Sequence, residues 1–185
     1  SMAMRVSDAY LTVADALTDP ALIRAEATEL RTLMARECST DWTRRFLLPH
    51  RLLAAKQTDA VDLAPELASL RKLLQVCTDP GLVIGLMQSH RKVAESLNDP
   101  TQIQAEVEAL RALWSGEADE RKAAVLASAY TSLLSRQADP AAVAEAAAQM
   151  RARLDRRFVP ELAAAYAMLL TASEDAAARS QLADE

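Results

Sequence analysis

The chain has 185 residues and a formal net charge of −5; 51% of its residues are hydrophobic, but only 4% are aromatic and 3 are glycine. That is length for one domain with a sizeable core, with too few turn glycines and aromatic residues for a sheet protein and an Ala- and Leu-rich content that predicts helices. The acidic balance argues against a dedicated nucleic-acid binder, and no apolar run approaches the length of a membrane span.

Ser1-Met2 reads as the remnant of a tag, and the N-terminal stretch lacks the apolar core of a secretory signal. A first amphipathic helix carries Val6, Tyr10, Val13 and Leu17 on one stripe and stops at Thr18-Asp19-Pro20. Asp is a favoured N-cap because its carboxylate accepts the free N–H groups of the first turn. Pro suits the next position, where no N–H is needed. The tripeptide therefore opens a second helix, with Ile23, Ala27, Leu30 and Met34 as its stripe and Leu33 widening it. Phe46, His50, Leu53 and Gln57 mark a third helix, in which Pro49 predicts a kink or a displaced start. Asp59 opens the fourth, which holds Leu63, Leu67, Leu70 and Leu74 and, like the third, an internal proline, Pro65. Leu86, His90, Val93 and Leu97 give the fifth. Asn98-Asp99-Pro100 opens the sixth, with Ile103, Val107, Leu110 and Trp114, and Gly116 is placed in the following loop as a C-cap. Leu126, Tyr130, Leu133 and Gln137 mark the seventh, and Ala138-Asp139-Pro140 opens the eighth, with Val143, Ala147, Met150 and Leu154. The ninth, Leu162, Tyr166, Leu169 and Ser173, arrives four residues early because the connection near Asp155 is shorter. Residues 176–185 are small and polar and are expected to fray.

Cap signal and stripe return together every forty residues. They divide a single domain, 3–175, into a half repeat, 3–18, and four helical hairpins, 19–58, 59–98, 99–138 and 139–175. One hairpin cannot bury its own apolar face, so neighbours stack into a continuous core. The expected fold is all-α, a right-handed α-solenoid of about nine antiparallel helices. In period and in its paired amphipathic helices the stretch 3–175 resembles the broad class of HEAT, armadillo and tetratricopeptide repeat proteins. Beside the stripe, Arg31, Arg71, Arg111 and Arg151 recur on one flank and Glu26, Glu66 and Glu106 on the other, predicting an Arg–Glu ladder between neighbouring copies.

His50 and His90 occupy equivalent places, and a pair of His on adjacent helices invites a metal. Zinc would need two more ligands, and the same column holds Tyr10, Tyr130 and Tyr166, so the expected role is a polar-tipped ring packed between layers and bonded to backbone. Cys38 and Cys77 lie at equivalent loops; a layer spacing of roughly 10 Å exceeds the reach of a disulfide, so both are expected as thiols in a reducing, cytoplasmic setting. No P-loop, GxGxxG, HExxH or Ser/His/Asp motif occurs. The expectation is a protein that is not an enzyme and uses no metal or cofactor.

Apolar residues where the repeat predicts polar ones point to partners instead. Leu48 and Leu52 stand where later copies have Gln88 with Lys92 and Ser128 with Ser132, and Arg44, Arg45 and Arg51 rim them. That composition suits a protein-binding patch, here for a helix or peptide, with Leu48, Leu52, Arg44 and Arg51 as its contacts. Ala164 and Met168 hold the same places in the last copy, beside Leu170. A terminal repeat should be polar outside, so the tail, a partner, a further repeat or a second subunit is expected to cover it, and Met168 marks a second partner contact or a surface through which copies of the chain would associate. The arginines and nearby Trp42 would also suit phosphate, but Trp42 falls on the inward stripe and the net charge is unfavourable, so nucleic acid is not expected. The sequence reading is a non-catalytic interaction or scaffold module, with a self-associating segment of a larger scaffold as the alternative.

Overall fold

The computed structural model describes the backbone of residues 2–36, 41–57, 60–137, 139–154 and 159–183, and the side chains of 8–36, 44–57, 63–137, 139–154 and 159–171. Among them the fold is all-α, with no strand. Its elements are α1 (Met2–Ala16), α2 (Pro20–Arg36), α3 (Asp41–Lys56), α4 (Ala60–Val76), α5 (Pro80–Ala94), α6 (Pro100–Gly116), α7 (Glu120–Leu134), α8 (Pro140–Leu154) and α9 (Pro160–Ala183). None is long and apolar enough to cross a membrane, among the residues described.

The aspartate signals act as expected. Asp19 Oδ1 accepts from the N–H groups of Ala21 and Leu22 at 2.8 and 3.1 Å. Asp99 accepts from Thr101 at 2.8 Å, and Asp139 from Ala141 and Ala142 at 3.0 and 3.2 Å. Asp59 lies outside the described residues. The period is finer than the forty-residue echo suggests, because Asp79 caps α5 through Leu82 N–H and Asp119 caps α7 through Lys122 N–H, each at 2.8 Å. In the hairpin α6·α7 both helices thus open on a capping aspartate, Asp99 and Asp119.

Cations close two helix C-termini, where unpaired carbonyls and the helix dipole favour positive charge. Lys56 Nζ donates to the carbonyls of Ala14 and Leu17 at the end of α1, at 2.8 and 2.9 Å. Arg153 donates to Trp114 O at the end of α6 at 2.9 Å, and its Nε bonds Glu120 at 2.9 Å.

Residues 1–98 and 99–185 form two compact units. The division falls where the second expected repeat ends. In the first unit α3 packs on both α1 and α5, α4 on α2, and the hairpin pairs α2·α3 and α4·α5 join the two rows. Tyr10 of α1 meets Phe46 of α3 edge-on, with ring centroids 6.0 Å apart. In the second unit the hairpins α6·α7 and α8·α9 pack, and α7 packs on α9. On α2 and α6 the apolar stripes read from the sequence are buried, as Ile23, Ala27, Leu30 and Met34 and as Ile103, Val107, Leu110 and Trp114, whereas Val13 of the α1 stripe is 54% exposed.

Pro49 and Pro65 lie inside α3 and α4, which continue on both sides of them. Three expectations change. Gly116 is the last residue of α6 rather than a loop cap, and no glycine among the described residues has positive φ. Cys77 is buried and disulfide-bonded, not a thiol. The spacing argument fails for it because Cys77 sits beyond the end of α4, where helix-axis separation no longer limits reach; Cys38 lies outside the described residues. Finally, α9 stays helical to Ala183, through most of the stretch 176–185.

Candidate functional site

Residues Leu48, Leu52, Arg44 and Arg51 all belong to α3, whose neighbour on this side is α5. Arg44 bonds the Asp79 carboxylate, Leu47 lies against Gly85, and Arg51 donates to Gln88 Oε1 at 2.6 Å. These contacts advance in the same sense along both helices, so α3 and α5 run parallel. Gly85 allows the close approach, since a Cβ there would overlap the end of the Leu47 side chain. Bonds to the Leu82 amide and to Arg44 hold the Asp79 carboxyl below the usual carboxylate range, keeping it charged for both tasks.

Leu48 is 45% exposed, as expected, but Leu52 is half-buried. The arginines differ more from expectation: Arg44 and Arg51 clamp α3 to α5 while remaining partly open to solvent. One apolar residue escaped the sequence reading. Ile84 is exposed on α5, and it and Leu48 each lie one helical turn before the Arg51–Gln88 bond. Comparison of repeats placed Gln88 opposite Leu48 and stopped there; the signal was an isoleucine in the column of Arg44. Arg91 and Lys92 are exposed further along α5. The α3 and α5 segments hold Arg44, Arg45, Arg51, Lys56, Arg91 and Lys92 against one carboxylate, Asp41, in a chain whose net charge is −5.

The helices α2, α3 and α4 share a buried polar cluster. Glu66 of α4 accepts from Arg31 of α2, giving the first rung of the expected ladder. It also takes the Nε2 of His50 of α3 at 2.8 Å. His50 and Glu66 are fully buried and Arg31 nearly so. The backbone partner expected for His50 is therefore replaced by a carboxylate side chain. Burial, with the Arg31 charge nearby, pushes His50 down to about 3, so its neutral ring donates Nε2–H. Its Nδ1 is buried without a hydrogen-bond partner. Burial also lowers Arg31 to about 10, which leaves it charged at neutral pH. The first copy carries the matching pair: Tyr10 of α1 donates its hydroxyl to Glu26 of α2. In the second unit Arg111 instead reaches Glu145, at 3.4 Å on the surface, because Ala146 replaces the repeat glutamate.

Met168 belongs to α9, in the other unit, and is 47% exposed with Leu170 at 43%. His90 is buried in α5. Among the described residues no group of three or more His, Cys, Asp or Glu side chains is placed to hold a metal ion. The side chain of Trp42 is outside the described residues.

Comparison of the chain with protein-family models, with curated proteins and with solved structures finds no match.

Proposed function

We propose that the chain is a non-catalytic protein-interaction module built on the right-handed α-solenoid repeat. The observation that carries this is the pairing of Leu48 and Ile84, two large apolar side chains left open on neighbouring parallel helices beside Arg44, Arg51, Arg91 and Lys92. Apolar contacts ringed by arginine suit a protein surface; with Arg44 paired to Asp79 and Lys92 to Glu95, Arg51 and the exposed Arg91 are the cations that would meet an acidic peptide or helix. Display on rigid helices positions these side chains without a moving part. The test is a pull-down with tagged protein beside Leu48→Asp/Ile84→Asp, two substitutions that add charge at exposed sites. A partner retained by the wild type and lost by the folded variant, then confirmed with purified components, supports the reading; equal retention refutes it.

A second reading, self-association through the repeat ends, draws on Leu170. Its repeat equivalents Ala14, Ala54, Ala94 and Leu134 are all buried, whereas Leu170 is exposed beside Met168. Sedimentation of the wild type against Met168→Asp/Leu170→Asp decides it: a concentration-dependent oligomer that the variant abolishes supports the contact.

A further inference from the structure

We propose that the Leu48–Ile84 surface seats one acidic amphipathic helix of another protein, antiparallel to α3 and α5, with its carboxylates on Arg91 and Arg51 and its apolar anchor on Leu48 and Ile84. This rests on the reading of that surface as a protein-interaction site and adds the form, charge order and direction of what it binds.

The surface lies within the row of helices rather than at an end of it. α3 has α1 on one side, α5 on the other and α2 as its hairpin partner, and Leu48 is still exposed. Further repeats before α1 would lengthen the row and leave this side of α3 as it is. The helices of the row bury their stripes against one another, so the occupant comes from outside the repeat.

Charge sets its chemistry. Arg44 is engaged with Asp79, Lys56 with the carbonyls that end α1, and Lys92 with Glu95. Arg51 bonds the neutral amide oxygen of Gln88 and no carboxylate, and Arg91 is exposed with no carboxylate at ion-pair distance among the described residues. A planar guanidinium takes a carboxylate through two parallel bonds. Two such groups beside two open apolar side chains match a partner that brings acidic and apolar residues together.

Spacing sets its form. Ile84, Gln88 and Arg91 stand at i, i+4 and i+7 on one face of α5, the second and third about 6 and about 10.5 Å along the axis from the first. On α3, Leu48 lies one turn before Arg51, which is level with Gln88. A partner helix has the same rise, so its own residues at such spacings meet all three levels. An extended peptide brings same-face residues at about 6.7 and about 13 Å; it meets Gln88 and overshoots Arg91. Direction follows from the helix ends. Arg91 is in the last turn of α5, at the negative pole of the helix dipole. An antiparallel occupant brings its positive N-terminus there, and acidic residues in that first turn stabilise the occupant as well. It therefore reads acidic at j and j+3 and apolar at j+7.

The probe is a fluorescein-labelled, alanine-based helical peptide with glutamate at j and j+3 and leucine at j+7. Fluorescence anisotropy against the 185-residue chain is expected to show saturable binding. Arg91→Glu is expected to weaken it by about tenfold or more, with a circular-dichroism melt little changed because Arg91 is exposed. A peptide with arginine at j should recover binding to Arg91→Glu. A peptide with aspartate in place of the leucine, which leaves the protein untouched, is expected not to bind. Absence of saturable binding overturns the proposal, as does binding that ignores both Arg91→Glu and the loss of the leucine. Equal binding of a peptide with glutamates at j and j+2, which a helix cannot put on one face, overturns the helical form. A partner that is lost on Leu48→Asp/Ile84→Asp but held by Arg91→Glu as by the wild type overturns this inference and leaves the surface reading standing. A dimer in sedimentation that Leu48→Asp/Ile84→Asp abolishes, without peptide binding, also overturns it and makes a second copy the occupant.

Discussion

Glu66→Ala is the sharpest perturbation the first unit offers. It removes the common acceptor of Arg31 and His50 and leaves a guanidinium and a ring N–H buried without it. Removing one partner of a buried ion pair costs about 3–5 kcal/mol, and an orphaned neutral donor costs about 1–3 kcal/mol. These overlap, and Arg31 retains some solvent access through which its charge finds water. The expected loss is therefore about 4 kcal/mol rather than the sum. Against a typical domain stability of about 5–15 kcal/mol, that brings the first unit close to unfolding. Urea denaturation followed by circular dichroism measures it, with the m-value checked so that a change in the unfolded state is not read as a change in stability. The triple variant Arg31→Met/His50→Phe/Glu66→Leu separates charge from packing. Replacing a whole buried ionic group by apolar side chains is often close to neutral, so the triple variant should be clearly more stable than Glu66→Ala. A loss below about 1 kcal/mol for Glu66→Ala, the range of an exposed pair, refutes the burial argument, as does a triple variant no better than the single one.

The same cluster predicts a pH dependence. His50 is held near 3 in the fold and titrates at about 6.5 when unfolded. The unfolded chain thus takes the proton first, so stability falls as pH drops from about 6.5 toward about 3, by at most roughly 1.4 kcal/mol per pH unit; urea midpoints at about pH 7 and about pH 5 should lie closer together in His50→Phe than in the wild type. Gly116→Ala is expected to stabilise by about 0.5 kcal/mol, because Gly116 is helical, has no positive φ and has open space around the added Cβ; a lower urea midpoint contradicts that. Cys77 predicts that denatured, unreduced protein gives no reaction with a thiol reagent, and that reduction exposes both cysteines of the chain. A free thiol before reduction shows that the bond is absent in solution.

Caps and apolar stripes were legible because they are local. Asp19, Asp99 and Asp139 act on N–H groups two or three residues away, so sequence spacing contains the whole interaction. Asp79 and Asp119 were just as local, and they were missed only because a forty-residue echo draws attention to one helix of each pair. The ladder was visible as columns of Arg and Glu, and Arg31–Glu66 realises it. His50 was harder. Its acceptor is sixteen residues along the chain, on a helix that meets α3 only after the hairpins stack. A ring in a column of tyrosines is consistent with backbone, water or carboxylate partners, and only tertiary packing selects Glu66. The arginines of the Leu48 surface show the same limit, since their partners Asp79 and Gln88 lie on the next hairpin.

Exposure was the least legible property, and the repeat explains why. Sequence periodicity assigns one role to every member of a column, while burial depends on whether the neighbouring helix is there. Val13, Leu53, Val93, Leu133 and Leu169 are interchangeable as sequence, yet the first stands open and the other four are core. Leu170 reverses the case at the other end: the column reads Ala14, Ala54, Ala94 and Leu134, small or buried throughout, and its last member lies half in solvent.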